Sequence, residues 1–180
     1  MKGIARAIAC LLCLYAGSGA ASATDIRVSA GGNELARAIA IAHSGDRLLL
    51  AAGLHSGPIR IDMPLTISGD VGAHIDGRGT GSVIEVESPD VIIEGLQITG
   101  SGSSHETIDA GVKLTKKATR AIVRDNVLTG NLYGIDIHGA RDAHVTGNEI
   151  TGRDDRQMNR RGNGVYVWNA PGSTVENNSF

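Results

Sequence analysis

The sequence predicts an all-β fold, a right-handed parallel β-helix (a solenoid) with an N-terminal capping α-helix. Three observations carry this expectation. The 180 residues hold 25 glycines against one Phe, one Trp and three Tyr. Rings bury the most area per side chain, so this chain must fill its interior with small aliphatics instead. A unit of short alternating segments recurs at steps of 30, 22 and 30 residues, and an Asn returns at the same place in it. At 41% apolar and 20% charged, with no strict Gly-X-Y period, the chain is neither a disordered polymer nor collagen. A net charge of −2 gives no electrostatic reason to expect a nucleic acid partner.

Residues 1–23 read as a signal peptide. Lys2 and Arg6 form a positive start, an apolar run follows from Ala7 to Ala16, and Ala21-Ser22-Ala23 supplies a small-residue cleavage site before Thr24. The apolar run is too short to span a bilayer. Cys10 and Cys13 both fall inside it, so no disulfide is expected in the mature chain. A lipid anchor at Cys10 is the competing reading, weakened by the poor lipobox Ala7-Ile8-Ala9. Without its leader the chain keeps four aromatics: Tyr133, Tyr166, Trp168 and Phe180.

Residues 24–45 are expected to form a strand and the capping helix. Asn33 is a good N-cap, Glu34 suits the first turn, and Leu35, Ala38, Ile39 and Ala42 share one face before Gly45 closes the helix. Such a plug covers the strand edges that the first coil would leave open.

Residues 46–180 are expected to be coils. Val91–Gly100, Ala121–Gly130, Ala143–Gly152 and Ser173–Phe180 align in four columns: Ile93/Val123/Val145/Val175, Leu96/Asn126/Asn148/Asn178, Ile98/Leu128/Ile150/Phe180 and Thr99/Thr129/Thr151. A second strand follows in each unit, at 111–114, 134–137 and 164–167. Earlier segments at 47–51, 58–62, 65–68, 73–76 and 82–87 fit less regularly. Aliphatics stack inside, stacked Asn amides bond to one another and fix register, and glycines turn the corners. The last segment carries no polar cap, so the chain is expected to be the N-terminal piece of a longer solenoid.

On the second strand Val112, Leu114, Ile135, Ile137, Val165 and Val167 are expected to point inward. Their neighbours then form two outer columns, Glu85/Lys113/Asp136/Tyr166 and Glu87/Thr115/His138/Trp168. The first reads as a solvated charge ladder, and His138 as a surface residue with a metal role as the alternative. Tyr166 and Trp168 side by side on an outer face suit either partner binding or shielding by neighbouring loops. The long turns at 101–110 and 153–163 overhang this face, and the arginines and aspartates of 153–163 are expected to pair with each other. Met158 in that turn is a soft donor suited to Cu(I), or a chance placement. The binding residues selected are Tyr166, Trp168, His138, Asp136, Arg161 and Asn163. No metal ligand set is assigned and no catalytic residue is selected.

From Leu54 to Phe180 the chain resembles the carbohydrate-binding/sugar-hydrolase (CASH) β-helices, and among them the NosD family of periplasmic maturation proteins. The residues carrying the resemblance are Ile67–Asp70, Ile75–Gly79, Val91–Gly100, Asp109–Gly111, Tyr133–His138 and above all Arg161-Gly-Asn-Gly-Val-Tyr-Val-Trp-Asn169. The resemblance implies a non-catalytic periplasmic protein that helps assemble the copper–sulfur centre of nitrous oxide reductase. Its implied partners are ABC transporter membrane subunits, a copper chaperone lipoprotein and the reductase, with copper as a transient cargo. The alternative is a polysaccharide lyase, C5-epimerase or glycan-binding β-helix. The Asp-Pro-His-Glu type of motif of alginate epimerases is absent, and no tight Asp cluster is present.

Overall fold

The computed structural model describes residues 23–155 and 157–180. The leader expected at 1–23, with Cys10 and Cys13, lies outside them apart from Ala23.

The chain opens with strand β1 (Asp25–Val28) and helix α1 (Glu34–Ile41). The first coils comprise β2 (Arg47–Leu50), β3 (Gly53–Ser56), β4 (Ile59–Ile61), β5 (Thr66–Gly69), β6 (Ala73–Asp76) and β7 (Ile84–Val86). The regular units follow as β8 (Ile92–Glu94), β9 (Gln97–Thr99), β10 (Ala110–Leu114), β11 (Ile122–Arg124), β12 (Val127–Thr129) and β13 (Tyr133–His138). The last are β14 (His144–Thr146), β15 (Glu149–Thr151), a single helical turn α2 (Met158–Arg161), β16 (Asn163–Trp168) and β17 (Thr174–Glu176).

These strands form three parallel sheets. Their orders are β1-β2-β5-β8-β11-β14-β17, β4-β7-β10-β13-β16 and β3-β6-β9-β12-β15. Neighbours in each sheet are one coil apart in sequence, which is the connectivity of a parallel β-helix.

The expected columns are the observed ones. Ile93, Val123, Val145 and Val175 pair in sequence across four strands, and Ile98, Leu128 and Ile150 across three. The bore they line is aliphatic, and most of its side chains are wholly buried. The Asn column is a hydrogen-bonded ladder. Asn126 Nδ2 donates to Asn148 Oδ1 at 3.0 Å, and Asn148 Nδ2 donates to Asn178 Oδ1 at 2.9 Å. Each amide also donates to a carbonyl one coil back, as Asn148 does to Val123 O at 2.9 Å. The residue before each ladder position turns left-handed; at Gly147 (φ 67°) the absent side chain makes this free of strain.

Three expectations need correction. Helix α1 ends at Ile41, with Ala42 as its extended C-cap, rather than at Gly45, because the Asp46 carboxylate accepts the backbone N–H groups of His43 and Thr24 and turns the chain into β2. Asn33 occupies the N-cap position but its side chain makes no capping bond. Strand β3 was not anticipated: its alternation is hidden because His55 fills a bore position, wholly buried in register with Ile75. Leu35, Ala38 and Ala42 do bury the expected helix face.

Candidate functional site

The outer face of the β4-β7-β10-β13-β16 sheet carries the site. Register places Glu85 beside Lys113, Lys113 beside Asp136, Asp136 beside Tyr166, and His138 beside Trp168. Four of the six selected residues, Asp136, His138, Tyr166 and Trp168, therefore meet on one patch. Arg161 and Asn163 do not join them. Both are exposed at the entrance to β16, where the Arg161 guanidinium donates to the Asp155 carbonyl at 2.6 Å.

Asp136 is not the solvated rung expected of a charge ladder. It is 0% exposed although it lies on the outer face. Its neighbours in register are the long side chains Lys113 and Tyr166, which close over a short carboxylate. Asp136 Oδ2 lies 3.9 Å from Lys113 Nζ and Oδ1 lies 3.8 Å from His138 Nδ1. Neither carboxylate oxygen has a hydrogen-bond partner among the described residues, and neither does His138 Nδ1. Burial pushes the Asp136 carboxyl up to about 6, against the opposing pull of His138 and Lys113. Taking a carboxylate from water without direct donors favours its protonated form.

His138 is likewise more than a surface residue. Its ring stacks on Trp168, with centroids 4.7 Å apart and planes inclined by 25°. Tyr166 is only half-exposed, because its ring meets Tyr133 edge-on at 5.8 Å. Tyr133 in turn meets His105 of the 101–110 turn, whose Nδ1 lies 3.0 Å from the phenol oxygen. Lys113 Nζ donates to the Thr107 carbonyl at 2.6 Å, so the same turn is tied to the lysine that flanks Asp136. Val165 and Val167 stand in register with Ile135 and Ile137, but Val167 is 51% exposed on the last coil.

The two long turns are joined by Arg153. Its guanidinium donates to the carbonyls of Gly130, Ser101 and Gly102 and to the Ser103 hydroxyl. The mutual Arg–Asp pairing expected within 153–163 is thus replaced, among the described residues, by bonds from Arg153 and Arg161 to main-chain carbonyls. The side chain of Met158 lies outside the described residues. Among those described, no group of three His, Cys, Asp or Glu is placed to hold a metal ion.

Sequence reasoning did not select Tyr133, Lys113 or Lys116 for the site. The signal for Lys116 was present: it stands 23 residues before Gly139 and 53 before Asn169, the spacing that relates Lys113 to Asp136 and Tyr166.

The chain belongs to the family described as "right handed beta helix region", which matches residues 71–180. Within that class it is similar to the "Probable ABC transporter binding protein NosD" of Stutzerimonas stutzeri, at 33% identity over 133 residues. The alignment covers 74% of this chain and 30% of that protein. The protein of the same name in Pseudomonas aeruginosa is 33% identical over 132 residues, 73% of this chain and 31% of the relative. The chain thus spans about a third of the length of these relatives. Among solved structures, the alginate lyase of Paenibacillus sp. str. FPU-7 superposes with a TM-score of 0.63 at 20% identity, covering 86% of this chain and 65% of that one. The Dettilon tailspike protein gives 0.55 at 14% identity, over 81% of this chain and 35% of the other. At these identities the structural likenesses speak for the fold alone.

Proposed function

We propose that the chain is a periplasmic, non-catalytic β-helix scaffold that works with an ABC transporter in assembling the copper–sulfur centre of nitrous oxide reductase. The observation that carries this reading is the 33% identity, over about three quarters of the chain, to relatives named as ABC transporter binding proteins. The leader pattern at 1–23 supports export. The Asp136–His138–Trp168 patch is the partner surface, facing a copper chaperone lipoprotein, the transporter's membrane subunits or the reductase, with copper passing as cargo.

The test is genetic and spectroscopic. Nitrous oxide reductase isolated from a strain lacking this protein is expected to show no absorption from its copper–sulfur centre, and the wild-type gene restores it. A reductase with its full complement of that centre overturns the reading. So does release of unsaturated uronate when the purified protein is mixed with alginate or pectin, since that assigns the face to lyase chemistry.

A further inference from the structure

A cleft of about 360 Å³ opens beside the buried carboxylate, between the ends of β10, β13 and β16. Lys113, Lys116, His138, Trp168 and Asn169 contribute to its lining, and no Asp or Glu does. Lys116 is exposed and, among the described residues, has neither an ion-pair nor a hydrogen-bond partner. His138 is 39% exposed while its Nδ1 is buried, so the exposed edge of the ring is the one carrying Nε2. Trp168 spends one face on His138 and is still 52% exposed. The cleft therefore offers nitrogen cations and donors beside an open indole, with the Asp136 carboxylate sealed beneath the floor and Glu87 taken up by Arg60 and Lys117.

We propose that this cleft binds a carboxylate side chain from an acidic segment of a partner protein, with an apolar neighbour of that side chain lying on Trp168. The inference rests on the partner-surface reading above and adds the chemistry of what is held. A free inorganic anion would use the lysines but leave the indole uncovered. A wholly apolar segment would bury Lys116 without a counter-charge, which is costly. An acidic residue beside an apolar one satisfies both, and amphipathic aromatics are the side chains that interfaces enrich.

Asp136 makes this site respond to pH. Lys113 faces it from β10 and Tyr166 from β16, while Tyr133 and His138 lie on its own strand and Glu85 flanks Lys113 from β7. When ionised, Asp136 competes with an incoming carboxylate for Lys113 and repels it. Protonation removes that competitor and leaves the ammonium for the ligand. Binding is thus coupled to proton uptake, and affinity rises as pH falls from 7.5 to 5.5, a range in which exposed Glu side chains stay ionised.

The experiment is an NMR titration of the protein with a capped Gly-Glu-Leu-Glu-Gly peptide, followed at the amides of 113–116, 138–139 and 168–169. The expected result is saturable shifts at these amides, with at least threefold tighter binding at pH 5.5 than at 7.5. Lys116→Gln, a surface change that leaves the fold intact, weakens binding at least threefold at both pH values. Asp136→Asn, checked by circular dichroism, removes the part of the pH dependence owed to that carboxylate. Equal binding of the Gly-Gln-Leu-Gln-Gly control overturns the proposal, as does absence of shifts in the cleft. Sodium galacturonate that saturates these amides where the peptide does not overturns it in favour of a glycan. If the peptide binds but reductase maturation is normal without the protein, the functional reading falls and this inference stands. If maturation needs the protein but the peptide does not bind, this inference falls alone.

Discussion

His138 Nδ1 lies 3.8 Å from Asp136 Oδ1, and among the described residues no hydrogen bond reaches either atom. The carboxyl is pushed from 3.8 to about 6, chiefly by burial. A raised acid pKa means that the folded state holds the proton more tightly than the unfolded state. Stability from this group is therefore present at acid pH and lost as pH rises through about 6. Two pK units correspond to roughly 2–3 kcal/mol over the whole span from below pH 4 to above pH 6, and about half of that falls between pH 5 and 7.5. Urea unfolding is expected to give a larger free energy at pH 5 than at pH 7.5, and Asp136→Asn to flatten that difference. Identical pH dependence in the two proteins contradicts the assignment.

The acid limb has the opposite sign. Backbone N–H groups of His43 and Thr24 hold Asp46 below the usual range, as Lys117 does for Glu87 and Arg120 for Asp90. For Glu94 burial acts upward, but the bonds from Arg124 and Arg47 outweigh it. These carboxylates contribute stability above their unfolded pKa values that is lost as pH falls through the folded ones. Stability should turn downward below about pH 4. A Glu94→Gln variant, which leaves Arg47 and Arg124 without their shared partner, is expected to lose about 1 kcal/mol at pH 7 and less in 1 M NaCl. No change in its urea midpoint contradicts the role given to this bridge.

Asn148 is the best-satisfied rung of the ladder. Its Oδ1 accepts from the Asn126 backbone and side chain at 3.1 and 3.0 Å, and its Nδ2 donates to Val123 O at 2.9 Å. Truncation strands several buried polar groups at about 1–3 kcal/mol each. Asn148→Ala should therefore cost roughly 3–5 kcal/mol in urea unfolding, and Asn178→Ala, half-exposed on the last coil, about 1 kcal/mol. Equal costs at the two positions contradict the ladder as a load shared between coils.

Arg153 ties the turn at 101–103 to its own. In an Arg153→Ala protein, amide hydrogen exchange is expected to quicken at 101–109 while far-UV circular dichroism is unchanged. Arg153→Lys should rescue little, because one ammonium cannot reproduce the planar fork. Exchange that stays at the wild-type rate contradicts the clamp.

The repeats made the solenoid legible because each coil must place an aliphatic at the same bore position. A column in sequence is then a column in space, and the Ile93-to-Val175 and Asn126-to-Asn178 alignments translated directly into register. The site was legible as direction only. Alternation told which residues leave the bore, but the burial of Asp136 depends on the bulk of Lys113 and Tyr166 one coil away on either side. The outward direction of Tyr133 was hidden because Gly134 breaks the alternation. A Cβ there would lie 2.4 Å from Gly164 O and 2.5 Å from Ile150 Cγ2, so Gly134 and Ile135 both face inward and Tyr133 is turned out toward Tyr166. The pairing of the turns was hidden for another reason: Arg153 bonds to carbonyls, which carry no side-chain signature.

The outer face of β13 and β16 is the proposed partner surface, and one measurement tests it directly. The affinities of the wild-type protein and of a Tyr166→Ala/Trp168→Ala variant for the copper chaperone lipoprotein and for nitrous oxide reductase should be compared by calorimetry, with far-UV circular dichroism of both proteins. The account predicts at least tenfold weaker binding of one of these partners with an unchanged spectrum. Undiminished binding of both partners by the folded variant, or loss of the β-sheet spectrum on removing the two rings, would contradict it.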